Sequence, residues 1–247
     1  MSAPQTGSLV ETEFDGDIGV IRLNRAKSLN AVNTALVEQL VAAFDSVLAA
    51  QARAVLLTGS GRAFCAGHDL KAPPEDPATV RARLDRIQDV TRRIRSCPAP
   101  VIAVVQGYAV GAGAEFALGC DLVLAAEDAQ FRFPEVGLGL SATGGLSALL
   151  PMLVGPIKAK ELVMFGEPLA ATDAHRLGLV NAVTPADELL PTAMSWARRL
   201  AELPPAPLAM AKEGIDAGTD RALESALSLE IQHAIRTDEL RATGGNR

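Results

Sequence analysis

The sequence predicts an α/β protein in which strands and helices alternate before the chain becomes entirely helical toward its C-terminus. Two observations lead to this fold class. Short apolar runs bounded by glycine, proline or polar residues recur as far as residue 183, a pattern typical of buried strands. From residue 186 onward almost every apolar side chain recurs at helical spacing. Strands that alternate with helices, followed by helices alone, indicate an α/β core with a helical appendage.

The elements of the first half follow from local signals. Residues 9–14 and 18–23 alternate apolar and polar side chains around Asp15-Gly16-Asp17, which predicts a β-hairpin. Asn33 is a candidate cap for the first helix, because its side-chain oxygen can accept from a free backbone N–H there. A proline-rich break at residues 73–77 precedes an arginine-rich helix, whose basic side chains predict mainly a solvated face: Arg81, Arg83, Arg86, Arg92, Arg93 and Arg95.

The remaining elements are short strands and longer helices. Strands are predicted over residues 54–57, 101–105, 121–125, 129–133 and 179–183. A glycine-rich stretch from residue 107 opens a further short helix. Later helices are predicted over residues 143–153, 156–165, 189–203, 207–217 and 221–235.

Length and composition set the broad class of protein. At 247 residues the chain is one large or two small domains and is long enough to bury a sizeable core. Its 49% hydrophobic and 21% charged residues are typical of a globular protein. The net charge of -6 argues against nucleic-acid binding, which requires a concentrated basic face. A polyanionic small molecule stays possible, since a few local cations suffice to bind it.

The cysteines and the apolar segments predict a cytoplasmic protein without a membrane span. Cys65, Cys97 and Cys120 are odd in number and have no paired spacing, as expected in a reducing compartment. The N-terminus lacks the basic and apolar regions of a secretory signal. The most apolar window, residues 101–114, is shorter than the ~20 residues of a membrane-spanning helix. The three histidines, His68, His175 and His233, show no ligand spacing, so no metal site is predicted.

Two glutamates in apolar surroundings are the candidate catalytic groups. Glu115 ends Gly-Ala-Gly-Ala-Glu (111–115), and Glu135 ends Phe-Arg-Phe-Pro-Glu (131–135), where only Arg132 is close enough to pair with it. A carboxylate that loses its hydration among apolar side chains has a raised pKa, which suits proton transfer. Two such groups can hold one water between them and move its proton and hydroxide separately.

Two glycine-rich stretches are candidates for binding a developing oxyanion. Residues 62–71 and 107–115 each place small residues between a strand and a helix-prone segment, so that backbone N–H groups are open to a ligand. Two N–H donors from separate turns that meet at one point would form an oxyanion hole. The turn Thr143-Gly144-Gly145 either binds an anion at a helix start or lines a pocket, and Cys65 is interpreted as a packing residue.

Five segments resemble the crotonase (enoyl-CoA hydratase/isomerase) family, and the resemblance extends from about residue 9 to about residue 239. The family's N-terminal signature is similar to Ile-Arg-Leu-Asn-Arg-Ala-Lys-Ser-Leu-Asn-Ala at residues 21–31. Its two oxyanion-hole segments are similar to Phe-Cys-Ala-Gly-His-Asp-Leu-Lys at 64–71 and to residues 100–115. The last two segments are residues 129–136, which carry the second acid, and residues 173–180.

The resemblance implies a fold and an assembly. The fold is a crotonase-like spiral of ββα repeats over residues 1–195, followed by a helical trimerisation region over residues 196–247. Family members form trimers, often paired into hexamers. Similar proteins continue past this C-terminus with a further helix over the acyl pocket, so this chain is expected to lack that lid or to be shortened.

The resemblance also implies a role for each site residue. Glu115 would position and deprotonate the water that adds at C3 of a 2-enoyl-CoA, and Glu135 would supply the proton at C2. The backbone N–H groups of His68 and Ala112 would polarise the thioester carbonyl. No cofactor or metal is implied, because coenzyme A arrives with the substrate. Substrate contacts are implied at Lys27, Ala66, Gly67, Asp69, Leu70, Lys71 and Gly111.

Several residues keep a second interpretation. The imidazole of His68 is a possible acid or base, although the family uses only the backbone at this position. Asp69 is interpreted as a helix cap, and Lys71 either contacts a CoA phosphate or is solvated. Ala112 replaces a glycine of many members, where a positive φ would be costly. Ser-Ala-Thr at 141–143 replaces a Pro-Gly-containing turn, so the family's chain-length preference does not carry over.

Three functions are therefore distinguished. Hydration is favoured, because members that only shift a double bond typically keep the second glutamate and lack the first. The alternatives are isomerisation by Glu135 alone and acyl-CoA binding with little turnover.

Overall fold

The computed structural model describes residues 7–71 and 80–243; the predicted proline-rich break at 73–77 lies outside them. Nine strands are formed within these ranges: β1 Val10–Asp15, β2 Ile18–Leu23, β3 Ala54–Gly59, β4 Val101–Val105, β5 Tyr108–Val110, β6 Leu122–Ala126, β7 Gln130–Arg132, β8 Leu169–Ala170 and β9 Ala182–Thr184. The described helices are α1 Thr34–Ala49, α2 Val80–Ser96, α3 Ala112–Gly119, α4 Leu146–Val154, α5 Pro156–Phe165, α6 Ala171–Arg176, α7 Leu189–Ala201 and α8 Pro205–Ala242.

The large sheet has the order β1-β2-β3-β4-β6-β9. The predicted hairpin is confirmed, since β1 and β2 pair antiparallel around the turn at Gly16. All later strands add in parallel. Strands β3 and β4 are buried along their whole length, as expected for largely apolar strands in the middle of a sheet.

A small second sheet gives the fold its repeating unit. It has the order β5-β7-β8, and Cys65 extends it by a bridge to Ala109. Each turn of the chain thus contributes a strand to the large sheet, a short strand to the small sheet and then a helix, as in β4, β5 and α3. This arrangement is the spiral of ββα repeats that the family resemblance implies. It places the residues that follow each small-sheet strand side by side.

The first helix shows how local sequence defines an element boundary. Asn33 has extended backbone angles, and its side chain accepts from the N–H of Leu36 at 2.9 Å, so the predicted cap is confirmed. The buried face of α1 includes Leu36, Leu40 and Phe44, which pack in the main core.

The C-terminal region differs from the sequence prediction. Two helices were expected over 207–217 and 221–235, but α8 is one helix of 38 residues that continues through Gly218. Contacts with α2 hold the helix across this point: the Arg95 guanidinium bonds to Thr219 at 2.7 Å and to Asp220 at 2.9 Å. Tertiary docking therefore outweighs the low helix propensity of Gly218-Thr219.

The arginine-rich face of α2 is only partly solvated, which corrects the prediction of a mainly solvated face. Arg83, Arg92 and Arg95 pair with acidic residues of α8, at Asp238, Glu224 and Asp220 respectively. These three arginines thus form part of the surface of α2 on which the long C-terminal helix docks.

Two further boundaries differ from expectation. The predicted strand over 179–183 is shorter, because only residues 182–184 pair with β6. Residue 195, the predicted end of the core region, lies inside α7, which packs against the large sheet through Leu189, Ala193 and Ala197. The division of the chain into a core and a C-terminal region stays a prediction. Within the described ranges no helix combines the length and apolar character needed to cross a bilayer.

Candidate active site

The two glycine-rich stretches lie against each other at the end of the small sheet. Cys65 forms two backbone hydrogen bonds with β5. Its N–H donates to the Tyr108 carbonyl at 2.9 Å, and its carbonyl accepts from the Val110 N–H at 3.0 Å. A Cβ at Gly67 would lie 2.6 Å from the Val110 carbonyl oxygen, and one at Gly113 would clash with the Cys65 carbonyl. Both positions therefore require glycine for close backbone approach.

This packing brings the two candidate oxyanion donors to the same cavity. Gly67, which precedes His68, has φ of 83°, and a Cβ there would lie 3.7 Å from the Ala112 nitrogen. Ala112 is the first residue of α3, where backbone N–H groups have no acceptor within the helix. The positive φ falls on Gly111, at 52°, and not on Ala112. Ala112 does not have a positive φ, so alanine at this position causes no backbone strain.

A cavity of about 830 Å³ opens over these groups. Its walls come from the segment after β3, from α2, from the start of α3, from residues 134–143 and from the end of α8. Nine of the predicted site residues line it: Ala66, Gly67, His68, Asp69, Leu70, Gly111, Ala112, Glu115 and Glu135. Lys27 and Lys71 are exposed and are not part of its lining, so contacts from these two lysines stay a prediction.

Glu115 is held rigidly in the wall of this cavity. Its side chain is 1% exposed, in the first turn of a helix whose eight residues are all buried. The backbone N–H of Thr143 donates to Oε1 at 2.8 Å, and the Thr143 hydroxyl donates to Oε2 at 2.6 Å. Burial and the charge of Glu135 raise the pKa of Glu115 well above its usual range, and the two bonds from Thr143 oppose this rise.

Glu135 lines the same cavity with fewer contacts. It is 7% exposed, and its Oε2 has no hydrogen-bond partner among the residues that the structure describes. Its Oε1 lies against Gly111, where a Cβ would approach it to 2.8 Å. Arg132 donates its Nε–H to the Gly166 carbonyl at 2.6 Å, which answers the suggestion that it pairs with Glu135. Burial raises the pKa of Glu135.

The two carboxyl groups repel each other when both are ionised. Near neutral pH such a pair favours one proton shared over two groups, because each additional negative charge is poorly solvated in the cavity. Glu115 accepts a hydrogen bond on each oxygen, whereas Glu135 has an oxygen without a partner in the described ranges; burial raises the pKa of Glu115 to about 8 and that of Glu135 to about 7. One base and one acid at a common cavity can transfer protons to and from a bound molecule.

Other predicted residues have structural contacts. Asp69 forms an ion pair with the largely buried Arg25 at 3.0 Å and accepts from the Lys71 N–H at 3.1 Å, although any helix it would cap lies outside the described residues. Cys65 is buried, which raises the pKa of its thiol to about 12 and makes it a packing residue as predicted. In the described part of the chain, no three His, Cys, Asp or Glu side chains cluster as metal ligands would.

Sequence reasoning missed two residues near Glu115. The sequence indicates Thr143 only as part of an anion-binding or pocket-lining turn. Its bonds to Glu115 are not apparent from the sequence, because the two residues are 28 positions apart. Glu230 was not singled out, yet it is 2% exposed and accepts from the N–H groups of Gly145 and Ser147 at 2.8 Å each. The start of α4 does bind an anion, and that anion is a side chain of this protein. A glutamate at a buried position of a helix is the one signal that would have found it.

Comparisons with known proteins agree with this architecture. The chain matches the family model for enoyl-CoA hydratase/isomerase over residues 13–242. A short-chain-enoyl-CoA hydratase from Clostridium acetobutylicum is 35% identical over 228 residues, 89% of this chain and 85% of that protein. A 2,3-dehydroadipyl-CoA hydratase from Escherichia coli is 36% identical over 214 residues, 86% of this chain and 84% of that protein.

Solved structures give the same result at the level of the fold. An enoyl-CoA hydratase from Mycobacterium avium subsp. paratuberculosis superimposes with a TM-score of 0.86 at 31% identity, covering 96% of this chain and 95% of that one. A Geobacillus kaustophilus enoyl-CoA hydratase subunit gives 0.81 at 36% identity, covering 92% and 88%. The strand order, the paired glycine-rich turns and the sequence match together establish that this chain belongs to the enoyl-CoA hydratase/isomerase family.

Proposed function

We propose that this protein catalyses the reversible addition of water to the 2,3 double bond of a 2-enoyl-CoA. The observation that carries the proposal is the presence of two buried carboxyl groups, Glu115 and Glu135, in the wall of one cavity that two glycine-rich turns also line. Relatives named as enoyl-CoA hydratases match most of the chain and support it.

The division of labour follows from the two environments. Glu115, with a donor on each oxygen, is the base that takes a proton from water as the hydroxyl adds at C3. Glu135, whose second oxygen has no partner in the described part of the chain, carries the proton that is delivered to C2. In the reverse direction the two exchange roles, as microscopic reversibility requires.

The backbone supplies the electrostatic part of catalysis. Addition at C3 places negative charge on the thioester oxygen, and the N–H groups of His68 and Ala112 are the donors that would face it. Donors fixed by packing need no reorganisation when the charge develops, and one such donor is worth about 3 kcal/mol in comparable enzymes. No cofactor or metal is part of this proposal, since coenzyme A enters as part of the substrate.

The opposite wall of the cavity suits the acyl chain. Its apolar side chains come from α2, from the segment after Glu135 and from α8, at Leu84, Ile87, Leu138, Leu140, Ala234 and Ile235. An acyl chain that leaves the thioester in this direction would be removed from water between α2 and α8. The end of α8 therefore forms part of the acyl pocket in this chain.

The experiment follows the loss of the conjugated enoyl-thioester absorbance with crotonyl-CoA. We expect rapid loss with the unaltered protein and a decrease of about 10²- to 10⁴-fold with Glu115→Gln or Glu135→Gln, the range of general acid–base contributions. Glu213→Gln, an exposed glutamate of α8, is the matched control and should leave the rate unchanged. No loss with unaltered protein that binds acyl-CoA would contradict hydration and leave isomerisation or binding alone.

We further propose that the protein acts as a homo-oligomer, a trimer or a pair of trimers. Helices α4 and α5 expose an apolar surface that includes Ile157 at 84%, Phe165 at 75% and Met164 at 64% exposure. Such a surface on a single chain is costly in water unless a second copy covers it. Light scattering should give a multiple of the 25.7 kDa chain mass, and Phe165→Asp should lower the measured mass.

We also propose a cytoplasmic location, which the three free cysteines support.

A further inference from the structure

We propose that Glu230 is a positioning residue, which acts from the C-terminal helix on the turn whose Thr143 orients the carboxylate of Glu115. The inference rests on the proposed function, because Glu115 is the base of that reaction. It adds a residue that does not line the cavity to the set that the reaction requires. It also assigns a second role to the docking of α8.

The first step is the burial of a charge where packing alone would favour an apolar side chain. Glu230 lies near Leu223 and Leu227 on α8, and these two leucines pack with Leu149 of α4 in a small apolar cluster. Its carboxylate accepts from the Gly145 N–H, the Ser147 N–H and the Ser147 hydroxyl, at 2.8, 2.8 and 2.5 Å. These donors and the N-terminal end of α4 offset the cost of burial. The bonds constrain the backbone at 145–147 in a way that a leucine would not.

The second step is the tight fit of the turn at 143–145. Gly144 and Gly145 have φ of 64° and 81°, which glycine adopts readily. A Cβ on Gly144 would lie 2.9 Å from the Glu115 Cβ, and one on Gly145 would clash with Leu223 of α8. Thr91 of α2 donates its hydroxyl to the Gly144 carbonyl at 2.9 Å. The turn is therefore fixed between α3, α2 and α8.

The third step is the contact with the catalytic carboxylate. Thr143, the residue before the two glycines, donates to both oxygens of Glu115. These bonds fix the plane of the carboxylate and favour its ionised form against burial. A displacement of Gly145 would also move Thr143, which lies only two residues earlier in the same tightly packed turn. Because Thr143 is bonded to Glu115, the carboxylate would then change its position.

The decisive measurement uses Thr143→Val, Thr143→Ser and Glu230→Gln, alone and combined. Thr143→Val should lower kcat at least tenfold with KM changed less than threefold, and its acid limb in kcat should move to higher pH. Thr143→Ser should restore both. Glu230→Gln should also lower kcat with little change in KM, but its acid limb should move less than that of Thr143→Val, because the charge of Glu230 itself raises the pKa of Glu115. The Thr143→Val/Glu230→Gln double variant should lose little more kcat than the worse single variant, because the two residues act in series. Glu213→Gln, an exposed glutamate of the same helix, is the control.

Additive losses, or losses in KM and thermal stability with an unchanged pH profile, would overturn the inference. If Glu230→Gln does not fold, Ser147→Ala removes one donor to Glu230 and should give a smaller kcat loss in its place. Carboxyl-carbon NMR of the unliganded protein separates this inference from the proposed function. The titration midpoint of Glu115 should rise in Thr143→Val whether or not enoyl-CoA is hydrated, and an unchanged midpoint would overturn the inference alone.

Discussion

The surroundings of Glu115 and of Glu135 differ although both carboxyl groups are buried in one cavity. Glu115 accepts hydrogen bonds from Thr143 on both carboxylate oxygens and lies in a helix with no exposed residue. Glu135 precedes a short 3-10 helix at residues 136–138, and one of its oxygens has no partner in the described ranges. The difference teaches that burial raises both pKa values, whereas hydrogen bonding fixes the orientation of one carboxyl group and leaves an oxygen of the other open to the cavity.

The largest effect expected from this asymmetry is a separation of two reactions. Glu115→Gln should lower hydration by about 10²- to 10⁴-fold but keep the conversion of a 3-enoyl-CoA to the conjugated 2-enoyl-CoA within tenfold, because Glu135 alone can move a proton between C2 and C4. Glu135→Gln should lose both reactions by about 10²-fold or more. The gain of conjugated-thioester absorbance measures isomerisation. Equal losses of isomerisation in the two variants would contradict the division of roles.

A smaller effect is expected from crowding Glu135 without removing it. Gly111→Ala places a methyl 2.8 Å from Oε1 and forces alanine to φ of 52°. We expect kcat to fall about 10- to 100-fold, since a misplacement of the order of 1 Å has such a cost. Gly137→Ala is the matched control, because a Cβ there meets nothing within 4 Å. A Gly111→Ala protein with normal kcat would show that Glu135 tolerates displacement.

The sequence predicts the acids and the turns because their signals are local. Glu115 and Glu135 have apolar neighbours within a few residues, and the glycines at 67 and 111 mark the close approach of two backbones. The hairpin at Asp15-Gly16-Asp17 and the Asn33 cap are likewise written in adjacent residues. Alternation of strands and helices is enough to give the α/β class, and the resemblance supplies the spiral.

The features that sequence reasoning missed depend on distant partners. Gly218 is typical of a helix break, and the bonds from Arg95 to Thr219 and Asp220, formed only on tertiary docking, stabilise the continuous helix there. Arg92 and Arg95 of α2 are predicted to be solvated because their partners on α8, Glu224 and Asp220, lie more than 100 residues away in the chain. Thr143 and Glu230 are polar residues whose importance rests on what tertiary folding places beside them. Propensity and period describe one segment at a time and carry no such information.

The smallest effect expected is on stability and tests the environment of Glu135 directly. Its folded pKa is raised by burial, so the folded protein binds this proton more tightly than the unfolded chain does. Below the unfolded value near 4 both states are protonated and the group has no effect. Between that value and the raised folded pKa, the unfolded chain releases the proton while the folded protein keeps it. The folded state therefore loses stability relative to the unfolded state as the pH rises. Glu135→Gln removes this term, so its melting temperature should exceed that of the unaltered protein by a few degrees at pH 8 and by almost nothing at pH 4, at one fixed protein concentration. A constant difference at both pH values would mean that Glu135 titrates normally, and the asymmetry between the two glutamates would then have to come from Glu115 alone.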